Sequence, residues 1–228
     1  SLTHFTGFSL RWYQHMLESR DMMEALYTTF SVALLATAIS TVVGTVAAIG
    51  LSKSKKIVRD VMEQVNNLPL MNPEIVTAIG FMLLFITFQI EKGLVTMILA
   101  HIAFCTPYVV LSVMPRLTSM NPNIYEAALD LGATPMQAMR RVIIPEIRPG
   151  MISGFILAFT LSIDDFAVTI FTNGTDGLET LSTYIYADAR KGGLTPELRP
   201  LSTIIFVTVL VLLIIINRRQ TKSRDKLA

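Results

Sequence analysis

The chain has 228 residues, of which 52% are apolar and only 16% charged, with a formal net charge of +2. Its mean hydropathy is +0.54, whereas a soluble domain carries about a quarter charged residues. These values exclude a disordered chain, a nucleic-acid-binding module and most cytosolic enzymes, and they point to a polytopic membrane protein.

Residues 1–25 are mixed and polar, without the charged start and apolar centre of a signal peptide. Five apolar runs follow, at 26–51, 67–88, 94–115, 150–171 and 201–216. Each meets or approaches the roughly 20 residues that a bilayer core of about 30 Å requires. The last is short, and its start can lie before Leu201. None alternates with period two, so the runs predict helices, and the fold class is an all-α polytopic bundle. Pro69 and Pro73 are predicted in the first turns of the second span, where a missing N–H costs little. Pro107, inside the third span, predicts a kink. Cys105 is the one cysteine and lies in an apolar run, which excludes a disulfide framework.

Lys and Arg set the orientation. Segments 52–66, 116–149 and 217–228 hold 13 of the 19 basic residues, and the remaining connections, of similar total length, hold 6. The first set is expected to be cytoplasmic. Five spans with a cytoplasmic C-terminus place residue 1 outside, so a sixth span upstream is expected. The expected organisation is an extracytoplasmic segment 1–25, a transmembrane domain 26–217 and a basic tail 218–228.

Loop 116–149 has its own punctuation. Asn121-Pro122-Asn123 reads as a cap. A short helix is predicted over 124–131, with Glu126 in its first turn, where the helix dipole favours a carboxylate. Gly132 fits the left-handed position that ends it. Thr134-Pro135 caps a second helix running to about Ile143, and Pro145 is expected to stop it. Glu126 and Asp130, four apart, share a face, and Ala127 and Ala128 are small enough for a close partner surface.

Glu126-Ala127-Ala128, three residues, Gly132, nine residues, then Val142-Ile143-Ile144-Pro145 resembles the EAA loop of ABC-importer permeases, E-A-A-x3-G-x9-I-x-L-P. The departures are Val142 for Ile and Ile144 for Leu. Further matches run along the chain: Phe8-Ser9-Leu10-Arg11-Trp12-Tyr13, His101-Ile102-Ala103-Phe104-Cys105-Thr106-Pro107, Phe159-Thr160-Leu161-Ser162-Ile163-Asp164-Asp165-Phe166, Tyr184-Ile185-Tyr186 and Leu194-Thr195-Pro196-Glu197. In this order they resemble the spermidine/putrescine permeases of the PotC type. Arg199-Pro200 departs from the small and polar residues usual there. The resemblance implies a type I importer permease with a coupling helix that docks on an ATPase subunit. It assigns that contact to 125–134, thus Tyr125, Glu126, Ala127, Ala128, Asp130, Gly132, Ala133 and Thr134, flanked by Arg140 and Arg141. The two arginines also fit the positive-inside bias alone. It further implies a second permease subunit (PotB-like), an ATPase dimer (PotA-like) holding ATP and Mg, and an external polyamine-binding protein (PotD-like). This chain is expected to bind no cofactor, because it has no Gly-rich P-loop ending in Lys-Ser/Thr. Membrane lipid is an expected partner and nucleic acid is not.

The residues themselves bear on the substrate. Asp164 and Asp165 lie roughly 21–22 Å up a helix that spans about 30 Å. Carboxylates within a membrane are costly and line polar cavities, unless the helix ends early and leaves them at the outer interface. An acidic site suits a cation. Glu74 reads as an interfacial helix-start acid or as a second cation station. His101 and Cys105, four apart, read as core packing, since two ligands make a poor metal site. Tyr184, with Tyr186 and Asp188, is expected outside, touching substrate or a binding protein or serving as an interfacial aromatic. Thiamine, ferric iron or another small cation are alternative substrates, and an integral-membrane enzyme or passive channel is the alternative of another class.

Overall fold

A computed structural model of the chain describes residues 11–174, 178–191, 195, 196, 198–204, 207 and 210. The described residues are helical or irregular, with no strand among them. The chain divides into two units, Tyr27–Thr183 and the two flanking stretches Ser1–Leu26 with Tyr184–Ala228. In the flanking unit, α1 (Arg11–Glu18) buries Met16, and Asp188 on α10 (Leu181–Arg190) accepts the Thr195 N–H at 2.7 Å.

The first apolar run becomes α2 (Arg20–Ser52), which lies in the larger unit from Tyr27 on, and the third becomes α5 (Leu94–Ser119), which runs through Pro107 and Pro115 without a break. Helix α5 packs along α8 (Ile144–Asp164) at very short range. A Cβ on Gly150 would stand 2.9 Å from the Ser112 carbonyl oxygen, so glycine there permits the approach of the two backbones. Val109, Val113, Ile147 and Ala158 form the fully buried centre of this contact. Around it, the outward faces are apolar: Val42, Val46, Val95 and Ile156 are all exposed. An apolar exterior of that extent belongs in lipid or against a partner. Among the described residues three helices are long and apolar enough to cross a membrane, α2, α5 and Pro135–Asp164, and a bent helix pair would make a fourth span if it crosses as one.

Two predicted spans differ from expectation. Run 67–88 is not one straight helix: α3 (Lys56–Met71) and α4 (Glu74–Thr87) meet at a bend of 105°. Pro73 is the cause. It pushes the preceding residue out of helical geometry, and Asn72 is extended at φ −78°, ψ 143°. Pro69 therefore sits near the end of α3 and Pro73 caps α4, rather than both lying in one first turn. Run 150–171 is interrupted too, because α8 stops at Asp164 and α9 (Ala167–Thr172) begins after two non-helical residues. The fifth run begins within helical residues 198–204, and most of it, like the basic tail 218–228, lies outside the described residues.

Pro145 does not stop the second loop helix. After α6 (Ile124–Asp130) and α7 (Pro135–Ala138), a π turn at Met139–Ile143 leads directly into α8, which carries Pro145 in its first turn. A proline inside a helix removes a donor and crowds the carbonyl four residues back. The wider π turn, in which the Ile144 N–H bonds to the Met139 carbonyl, accommodates that defect without breaking the helix.

Candidate functional site

Three elements of the larger unit converge on a cavity of about 250 Å³. The α3–α4 bend supplies Asn72 and Glu74, α5 supplies Phe104 and Tyr108, and the α8–α9 break supplies Asp164 and Asp165. Phe104 and Tyr108 are one turn apart, so both rings reach the same wall. Glu74 is the first residue of α4, close enough to interact electrostatically with both aspartates. It is thus a helix-start acid and a wall of the cavity at once. Among the described residues, no lysine or arginine forms an ion pair with any of these three carboxylates.

The adjacent aspartates do different things. Asp164 is exposed to the cavity, whereas Asp165 is 3% exposed. The Asp165 carboxylate accepts the backbone N–H groups of Val168 at 3.1 Å and Thr169 at 2.8 Å, and the Thr169 hydroxyl at 2.8 Å. Those are the orphan donors at the start of α9, which a carboxylate satisfies well. The side chain thereby offers the backbone an alternative to continuing α8. His101 on α5 lies directly behind. It is fully buried, with Nδ1 2.7 Å from the Ser162 hydroxyl and Nε2 3.1 Å from the Thr169 hydroxyl and 3.5 Å from the Asp165 carboxylate. Cys105 is buried one turn away against the Ala158 carbonyl. No group of three metal-binding side chains occurs among the described residues.

The loop between α5 and α8 forms a second feature. Gly132 has φ +86°. The Gly132 N–H bonds back to the Leu129 carbonyl and the Ala133 N–H to the Ala128 carbonyl, the paired bonds of a Schellman ending. Thr134 then opens α7 with a capping box: its hydroxyl accepts the Gln137 N–H, and its own N–H donates to the Gln137 side chain. Glu126, Ala127, Asp130, Gly132, Thr134, Arg140 and Arg141 are exposed, and Ala133 is half-buried. Ala128 is buried, and Tyr125 turns inward, its ring 3.7 Å from the Lys53 ammonium.

The chain matches the family described as binding-protein-dependent transport system inner membrane component over residues 40–223. The chain belongs to that family. It is 33% identical over 209 residues to the spermidine/putrescine transport system permease protein PotC of Haemophilus influenzae, covering 92% of this chain and 80% of that protein. It is 34% identical over 215 residues to the putrescine transport system permease protein PotI of Escherichia coli, covering 91% and 76%. Among solved structures it resembles a bacterial ABC transporter involved in import of the acidic polysaccharide alginate, with TM-score 0.71, 16% identity and coverage of 96% and 85%. The inward-facing MetNI methionine ABC transporter gives TM-score 0.67 at 19% identity, covering 90% and 98%. The fold is that of a type I ABC permease, and this permease is a multi-pass inner-membrane protein whose curated relatives are transport subunits rather than enzymes.

Within this permease, the structure brings Asp164, Asp165 and Glu74 to one cavity and leaves Tyr184 half-buried on α10, in the flanking unit. Phe8, Leu194 and Glu197 of the matched segments lie outside the described residues. Sequence reasoning missed Phe104 and Tyr108 as cavity walls, and Ser162 and Thr169 as partners of His101. The i, i+4 spacing of the two aromatics was the available signal.

Proposed function

We propose that this chain is the translocating subunit of an ATP-driven importer of polyamines. The observation that carries the reading is the acidic cavity without a lysine or arginine partner. Asp164 and Glu74 are exposed to the cavity, so a cation that enters meets negative charge no lysine or arginine has neutralised. A polyamine alternates ammonium groups with short methylene runs. Asp164 and Glu74 suit the ammonium, and the Phe104 and Tyr108 rings suit both the methylenes and, through their faces, the charge. The names of the polyamine-transporting relatives support the same substrate class.

In this reading an external polyamine-binding protein (PotD-like) delivers substrate and a second permease (PotB-like) completes the pathway. An ATPase dimer (PotA-like), holding ATP and Mg, docks on the exposed face of α6 with Glu126, Ala127 and Asp130, and on Arg140 and Arg141. The C-terminus is cytoplasmic. ATP-driven closure of the ATPase pair moves the loop and alternates access to the cavity. The test is uptake of labelled spermidine and putrescine by proteoliposomes containing the complete importer, with ATP hydrolysis followed in parallel. Asp164→Asn is expected to lose uptake while retaining ATP hydrolysis. Uptake at the unmodified rate would remove the cavity from the cation's path.

A further inference from the structure

His101 is a fully buried titratable side chain behind the cavity, and it spans three elements: α5, which bears it, the end of α8 through Ser162, and the start of α9 through Thr169. The hydrogens of this group can be assigned. The Thr169 hydroxyl donates to Asp165, so its oxygen is left to accept, and His101 Nε2 must carry the proton that reaches it. Nδ1 is then an acceptor, and the Ser162 hydroxyl donates to it. One ring proton therefore satisfies a continuous run from Ser162 through His101 and Thr169 to Asp165. Networks completed in this way hold one geometry, because every alternative strands a buried polar atom.

That geometry has a consequence for the neighbouring acid. Asp164 is the last residue of α8, and the chain leaves helical conformation at Asp165. The direction of the Asp164 side chain is thus set by where the break occurs, and the His101 network clamps the break on both sides. We propose that His101 is a positioning residue for translocation: its imidazole ties α5 to the α8–α9 break so that Asp164 faces the cavity. The inference rests on reading Asp164 as the partner of the passing cation. Phenylalanine at position 101 fills similar space but makes neither bond. Glutamine retains an amide donor for Thr169.

The experiment uses the complete importer in proteoliposomes, with His101→Phe, His101→Gln, Asp164→Asn and the His101→Phe/Asp164→Asn double variant. The readout is spermidine taken up per ATP hydrolysed. His101→Phe is expected to lower that ratio about tenfold, the factor equivalent to losing its two bonds to the neutral Ser162 and Thr169 hydroxyls at the lower end of their range. His101→Gln should recover most of it, and His101→Phe should add little in the Asp164→Asn background. A purely structural role would reduce assembled importer, lowering uptake and hydrolysis together with the ratio unchanged, and that result overturns the proposal. So does a loss that multiplies fully with Asp164→Asn. If His101→Phe does not assemble, Ser162→Ala takes its place, and an unchanged ratio there counts against the proposal. Normal uptake in Asp164→Asn defeats both the cavity reading and this inference. Normal uptake in the His101 variants alone defeats only the inference.

Discussion

Replacing Asp165 with asparagine should destabilise the protein and replacing Asp164 should not, although the residues are adjacent and chemically identical. The Asp165 carboxylate accepts two backbone N–H groups and one hydroxyl within 3.1 Å. Asparagine keeps one oxygen and turns an NH2 toward the other donors. The Thr169 hydroxyl can rotate, but at least one buried N–H is left facing a donor. Hydrogen bonds to charged groups contribute about 1.5–3 kcal/mol each, so a loss of about 2 kcal/mol is expected. For a chain of this size that lowers the unfolding midpoint by about 4–8 °C. Asp164 accepts no comparable bond and is exposed, so Asp164→Asn should stay within about 0.5 kcal/mol. Cys105 supplies the assay, because it is the single cysteine and is buried. A thiol-reactive fluorophore will label it only as the helices separate, and a thermal ramp in detergent reads the midpoint. Equal midpoints for the two variants, or a larger drop for Asp164→Asn, would refute the division of labour.

Two further outcomes concern the cytoplasmic loop. A Cβ at Gly132 would meet no atom within 4 Å, so the cost of Gly132→Ala is the left-handed backbone alone, about 1–2 kcal/mol. Titration with the partner ATPase should show binding weakened about five- to thirtyfold, and unmodified affinity would mean that the elbow is not part of the docking geometry. Lys53 and Tyr125 should show a coupling of about 0.5–1 kcal/mol in a double-mutant cycle of Lys53→Ala and Tyr125→Leu on thermal stability. Simple additivity would mean that the 3.7 Å contact contributes nothing.

The parts of the fold legible in the sequence were those set by local chemistry. Gly132 and Thr134 each act on backbone groups within a few residues, and the structure places both as their spacing predicts. The end of α2 at Ser52 and the start of α5 at Leu94 follow their apolar runs, whereas α2 begins at Arg20 and α5 continues to Ser119, beyond the runs. The bend at Asn72 had a local cause in Pro73, but an apolar count reads through a proline. The break at Asp165 was less visible. An aspartate becomes a cap only when Thr169 and His101 are placed to receive it, and His101 is more than sixty residues away in the chain. Pro145 misled because its defect is absorbed by a π turn, whose residues carry no signature of their own. The cavity itself, assembled from three separate stretches, was legible only as a set of acids that had to face something.

The uninterrupted helix Pro135–Asp164 begins beside the elbow at Gly132 and ends at the cavity acid. Its 30 residues make a rod of about 45 Å at 1.5 Å per residue. A rod transmits rotation with little loss, so a tilt of about 10° at one end sweeps the other by roughly 8 Å over that length. The π turn at Met139–Ile143 departs from regular α-helical bonding close to the loop end. In the proposed transport cycle, a small push on the loop would reach Asp164 along this rod as a displacement comparable to the width of an amine group.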